Sequence, residues 1–144
     1  MSNETLDRIS ALQRRSVLTG MAGILAAIKL REAGYDNFVI YEKAARLGGT
    51  WRENTYPGIA CDVPAHLYTY TFEPNPHWSH VFAPGEEIQA YFEGVAKKYK
   101  VLPSIEFNTE ITRCVFENGR WQLTTATGKS DSADVVIAAT GVLH

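Results

Sequence analysis

Cysteine is scarce in this chain of 144 residues: only Cys61 and Cys114, far apart and with no CxxC pair. Neither a metal knuckle nor a dithiol redox motif is supported, and a reduced cytoplasm is the expected compartment. No basic run is present and the formal net charge is -2, so there is no electrostatic reason to expect nucleic acid or an anionic membrane as partner. No apolar run approaches the roughly 20 residues of a membrane span. Internal repeats and low-complexity segments are absent as well. What remains, 45% hydrophobic and 21% charged residues, is the balance of one globular domain with an ordinary core. Arg14-Arg15 before the apolar stretch Ser16 to Ala27 imitates a twin-arginine export signal. The chain then continues as Ile28-Lys29-Leu30-Arg31-Glu32-Ala33-Gly34, a helix with a charged face and a glycine stop rather than a cleavage site.

Residues 1–15 read as an N-terminal arm and 16–144 as the folded domain. Ser16 to Leu18 closes a first strand, Met21 to Ala33 forms a helix, and the continuous apolar run Asn37 to Glu42 reads as a parallel strand covered on both faces. Strand, helix and strand make a βαβ unit. From Gly48 to Pro84 no period is sustained, and a loop of that length in a compact domain is usually functional. Pro84-Gly85-Glu86-Glu87 opens a second helix with acids in its first turn and a stripe of Ile88, Tyr91, Phe92, Val95, Ala96 and Tyr99. Ile111 to Glu117 and Arg120 to Ala126 alternate across Asn118-Gly119, a hairpin signal. Ala133 to Thr140 reads as another buried strand. The expected fold class is α/β: a Rossmann-like dinucleotide-binding βαβ with a parallel sheet, plus a small antiparallel β-meander.

Gly20 and Gly23 stand where the second and third glycines of a GxGxxG fingerprint belong, with Leu18 at the first position. There, backbone amides at a helix start can hold a pyrophosphate, though two glycines easing helix packing would look the same. Glu42, about 20 residues on, lies where a ribose hydroxyl needs an acceptor; alone it would read as an exposed acid. Gly48-Gly49 gives a turn that brings amides near a ligand, and Trp51 supplies a flat apolar wall with one donor, or a core aromatic. Cys61 and His66 read as packing or local hydrogen bonding. Asp62, in an otherwise apolar loop, is expected to need a partner.

Arg46-Leu47-Gly48-Gly49-Thr50-Trp51, Tyr56-Pro57-Gly58-Ile59-Ala60-Cys61-Asp62 and His66-Leu67-Tyr68-Thr69-Tyr70 resemble the flavin-dependent monooxygenases of the Baeyer-Villiger and flavin-containing type. The similarity runs from Val17 to His144. It implies FAD as cofactor, with Gly49, Thr50 and Trp51 closing over the isoalloxazine and ribityl region and Tyr68 as a further flavin contact. It also implies a catalytic Asp62 beside the flavin and the nicotinamide, partnered by a cationic residue further along the chain. The Ile111 backbone would meet the adenine, and Ala139-Thr140-Gly141 would pass close to FAD.

The family mechanism implied is hydride transfer from NADPH to FAD, reaction with O2 to a C4a-peroxyflavin, and oxygen insertion into a ketone or transfer to a heteroatom. The partners are thus a small-molecule substrate and O2, with oligomerisation left open. The family's NADPH-binding domain and its FxGxxxHxxxW[PD] signature are not found in residues 1–144, so the isolated chain is expected to be catalytically incompetent. Two alternatives stand beside this: an inactive truncated FAD-binding homologue, and another flavoprotein oxidoreductase such as a disulfide reductase, which would need the cysteine pair this chain lacks.

Overall fold

The computed structural model describes the backbone of residues 15–18 and all of residues 20–141; the arm expected over residues 1–15 lies outside them except for Arg15, which opens the first strand. Two compact units are formed, one by residues up to Arg46 with Val101–Thr140 and one chiefly by Leu47–Lys100.

In the first unit, strands β1 (Arg15–Leu18), β2 (Phe38–Tyr41), β3 (Ile105–Glu106) and β7 (Val135–Ala138) form a sheet of order β3-β2-β1-β7 in which all pairings are parallel. All four residues of β2 are buried, Ile40 completely, as the continuous apolar run predicts. Helix α1 (Met21–Glu32) links β1 to β2 and buries Gly23, Ile24, Ala27 and Ile28. It ends where the sequence placed its stop. Gly34 takes φ 81°, its N–H bonds the Arg31 carbonyl at 2.9 Å, and the Tyr35 N–H reaches back to Leu30 at 2.8 Å, the paired bonds of a Schellman ending.

An antiparallel sheet of β4 (Ile111–Glu117), β5 (Arg120–Thr125) and β6 (Ser130–Ala133) completes this unit. Asn118 and Gly119 both have positive φ, 53° and 81°, which is the two-residue turn whose twist suits a hairpin. Leu123 and Ala133 pack with Val39 and Tyr41, and Ile111, Cys114, Trp121 and Val136 close around them.

Three expectations are corrected here. Ser130–Ala133 is a strand of its own, held by pairing with β5 and by the hydrogen bond between the Tyr41 hydroxyl and Asp131. β3 is an unanticipated two-residue strand beside β2. The run read as another buried strand is β7, which among the described residues lies at the edge of the sheet beside β1, with its end residues Val135 and Ala138 exposed.

The second unit, read as irregular from Gly48 to Pro84, contains one turn of helix α2 (Thr50–Glu53) and a 3-10 turn at Ala65–Leu67 before helix α3 (Gly85–Lys98). Backbone bonds Cys61 N–H to Ala83, Ala65 N–H to Val81 and Gly85 N–H to Ile59 fold the long loop back on itself. α3 buries Ile88, Phe92, Val95 and Ala96 of its expected stripe, with Tyr91 and Tyr99 half-buried. Glu86 and Glu87 in its first turn and Lys97 and Lys98 in its last suit the helix dipole.

Candidate functional site

In the first unit, the register of the parallel sheet aligns the ends of three strands. Leu18 pairs with Tyr41 on one side and with Ala138 on the other, so Gly20, Glu42 and Ala139 all follow the carboxyl ends of adjacent strands. β1 sits between β2, to which α1 leads, and β7, which the chain reaches only after β6, so the strand order reverses beside β1. That is a topological switch point, where open α/β sheets bind ligands.

Gly20 caps α1. A Cβ at this position would lie 2.4 Å from the carbonyl oxygen of Ala139, so the close approach of helix start and strand end admits only glycine. No side-chain cap and no acid occupy the first turn of α1. Gly23 is buried and its N–H bonds the Gly20 carbonyl at 2.9 Å. Leu18 lies on described backbone, but its side chain is outside the described residues.

Glu42 is 7% exposed, not the surface acid that the residue alone suggests. Its Oε1 accepts the Ala44 N–H at 2.9 Å, its own N–H bonds the Glu106 carbonyl, and its carbonyl accepts the Thr109 N–H. The carboxylate is therefore fixed in direction by its own chain. Ile111 opens β4 at a register irregularity, with its side chain packed into the core cluster. Gly141 adopts φ 76°.

In the second unit, Gly48 and Gly49 have φ 135° and 51°, and their carbonyls accept the N–H groups of Trp51, Arg52 and Glu53. The glycine turn is thus the entry to a helical turn, which the sequence did not reveal because four residues are too few to show a period. Trp51 is half-buried. Its Nε1–H donates to the Tyr68 hydroxyl at 3.3 Å, and the two rings meet edge to face at 5.8 Å. Tyr68 in turn meets Phe92 edge to face at 6.0 Å. Burial pushes the Tyr68 phenol pKa up; the Trp51 hydrogen bond pulls it back, and negative charge at Cys61 and Asp62 adds to the rise.

Asp62 is exposed, so its apolar sequence neighbours do not enclose it. Cys61 is buried as packing, and His66 is exposed. Among the described residues no cluster of His, Cys, Asp or Glu is suited to a metal, and no helix is long and apolar enough to cross a membrane.

Gln89 was missed. It is buried in α3 next to the apolar stripe, and its Nε2 donates to the Leu47 carbonyl beside the glycine turn. A lone amide one position from Ile88 was the available signal.

Residues 19–84 match the family described as NAD(P)-binding Rossmann-like domain. A Baeyer-Villiger monooxygenase of Streptomyces coelicolor is 46% identical over 127 residues, covering 87% of this chain and 24% of that protein. One from Pseudomonas aeruginosa is 43% identical over the same length, with the same shares of the two chains covered. Over these residues the chain is similar to the N-terminal part of flavin-dependent monooxygenases of the Baeyer-Villiger type. Among solved members of the family, a steroid monooxygenase bound to NADP superposes with a TM-score of 0.83 at 34% identity, covering 90% of this chain and 26% of that one. An open form of cyclohexanone monooxygenase gives 0.84 at 32%, covering 91% and 27%. The chain spans about a quarter of the length of these monooxygenases.

Proposed function

We propose that the chain is the FAD-binding part of an NADPH-dependent monooxygenase that delivers one oxygen atom of O2 to a small ketone or a soft heteroatom. The switch point carries this reading: a capless helix start, a buried directed carboxylate and a close-passing third strand end follow the same edge of one parallel sheet.

The residues present fit a dinucleotide. Gly20 and Gly23 put no side chain against a diphosphate approaching the opening of α1, where its charge would suit the helix dipole. Glu42 offers a carboxylate already oriented by the Ala44 N–H to accept ribose hydroxyls. The backbone at Ile111 would meet the adenine, and Thr140 and Gly141 would pass near the cofactor. Gly49 and Thr50 present the backbone of a tight turn, and Trp51 with Tyr68 forms an apolar wall suited to a planar ring and to excluding water from it.

FAD held by these residues would supply the redox chemistry, the acceptance of hydride from NADPH and the activation of O2. Asp62, exposed and within electrostatic reach of Tyr68, is the proposed catalytic carboxylate at the reacting face. The proposed compartment is the cytoplasm.

Titrating FAD into the purified chain and following flavin fluorescence tests the reading. Saturation at one FAD per chain is expected, with Glu42→Ala weakening it about 10- to 100-fold, the loss of charge-assisted bonds to the ribose. Absence of saturable binding in the unsubstituted chain would overturn the proposal.

A further inference from the structure

The turn before Trp51 is gripped by a side chain from α3. Gln89 is 8% exposed, and its Nε2 donates to the Leu47 carbonyl at 2.7 Å and to Glu93 Oε1 at 2.5 Å. Both partners accept only, which fixes the amide: reversed, Oε1 would face two oxygens. The amide oxygen is left buried, with no hydrogen-bond donor among the described residues. It is not idle in space. A Cβ on Gly48 would stand 2.0 Å from Gln89 Oε1 and 2.6 Å from its Cδ, so the Gly48 Cα is seated against the amide face. A Cα–H pointed at a carbonyl oxygen is a weak but directional contact. Gly48 is also at φ 135°, where side-chain-bearing residues are strained. A Cβ there would also stand 2.6 Å from the Arg52 Cβ, so the backbone angle, Arg52 and Gln89 all bear on position 48, and the last is contributed by α3.

A side chain selected for packing alone would not keep a buried acceptor unpaired, because leaving one carries a desolvation penalty that an apolar residue of the same length avoids. We infer that Gln89 is a positioning residue for the glycine turn: Nε2 pins the Leu47 carbonyl on one side of the turn, Oε1 sets how closely Gly48 approaches, and Gly49–Trp51 are thereby held in the one register that opens α2. That this turn faces FAD rests on the function proposed above. Gln89 acts through the turn rather than on ring or phosphate.

Two measurements on the full chain separate the inference from the reading beneath it. In the absence of ligand, Gln89→Met, close to Gln in size and without a donor, is expected to speed amide hydrogen exchange at Trp51, Arg52 and Glu53 at least tenfold, since these N–H groups bond to Gly48 and Gly49. Exchange at Tyr99, at the far end of α3, stays unchanged. Gln89→Asn, which keeps the amide but falls one methylene short, is expected to give the same pattern more weakly and serves if the Met variant does not fold. FAD titration of the same variants is expected to show dissociation constants raised at least tenfold over the unsubstituted chain. Unaltered exchange at Trp51–Glu53 would overturn the grip on the turn whatever the FAD result. Faster exchange with unchanged FAD affinity would overturn the claim that the turn serves FAD. An unsubstituted chain that binds no FAD sinks the proposed function instead, and the exchange measurement still decides the role of Gln89.

Discussion

Gly20→Ala puts one methyl group where the start of α1 closely approaches the end of β7. The new Cβ would stand 2.4 Å from the Ala139 carbonyl oxygen, 1.0 Å short of the 3.4 Å at which ordinary contact begins. That oxygen belongs to the main chain just beyond β7, which is tied to β1 by parallel pairing through Leu18 and Ala138. It has no rotamer to change. Either α1 or the end of β7 must move by about the missing ångström. Overpacking by one methylene costs roughly 1–3 kcal/mol, and a backbone neighbour argues for the upper end. At roughly 2–6 °C per kcal/mol for a chain of this length, the midpoint of a thermal melt is expected to fall by about 5–15 °C. Far-UV circular dichroism, with a denaturant titration for the free energy, measures this. Gly94→Ala is the matched control: it is exposed on α3 with nothing within 4 Å of its Cβ, and is expected to stabilise by about 0.5–1 kcal/mol. A Gly20→Ala protein melting within about 2 °C of the unsubstituted chain would refute the argument that this contact reserves the position for glycine.

Glu73 has its carboxyl pKa held below the ordinary 4.5, first by the hydrogen bond from Lys98 and then by that from Tyr99. A depressed carboxylate stabilises the fold above its unfolded pKa and loses that contribution as pH falls through the folded one. Glu73→Gln is therefore expected to lower stability by less than about 1 kcal/mol at pH 7, a modest effect for so exposed a pair, and the gap from the unsubstituted chain should close as denaturant titrations are taken below pH 4.5. Trp51→Phe removes the indole donor that opposes burial at Tyr68, so the phenol should titrate higher than in the unsubstituted chain, where it already stands above 10.0. A pH series of the Tyr68 ring carbon resonance reads this, and an unchanged or lowered midpoint contradicts it.

Local chemistry that declares itself within a few residues was legible. Gly34 ends α1 and Asn118-Gly119 turns the hairpin because each supplies a backbone conformation few other residues adopt. β2 was legible as a parallel strand because burial on both faces leaves no alternation to misread. β6 was not, since Ser130-Asp131-Ser132 has little intrinsic preference for a strand and owes its form to β5 and to Tyr41. In the candidate site, spacing alone singled out the glycines and the acid. The burial of Glu42 was not legible, because it depends on where Glu106 and Thr109, more than sixty residues away in sequence, lay their backbone. The exposure of Asp62 was hidden for the same reason: its neighbours in sequence are apolar, while its neighbour in space is solvent. Gln89 acts on a segment 42 residues away, a relation no local pattern encodes.

The pairing of β1 with β7 joins Leu18 to Ala138, about 120 residues later. Closing so long an intervening chain is entropically expensive before any contact rewards it, and folds built on such non-local parallel pairings assemble slowly. On the ribosome, β2 and α1 are complete long before the other flank of β1 exists. The carbonyl that hems in Gly20 is synthesised well after both. Until it is, one side of β1 is an open hydrogen-bonding edge, so the nascent chain is most exposed to mispairing at the very strand around which the proposed ligand crevice is later organised.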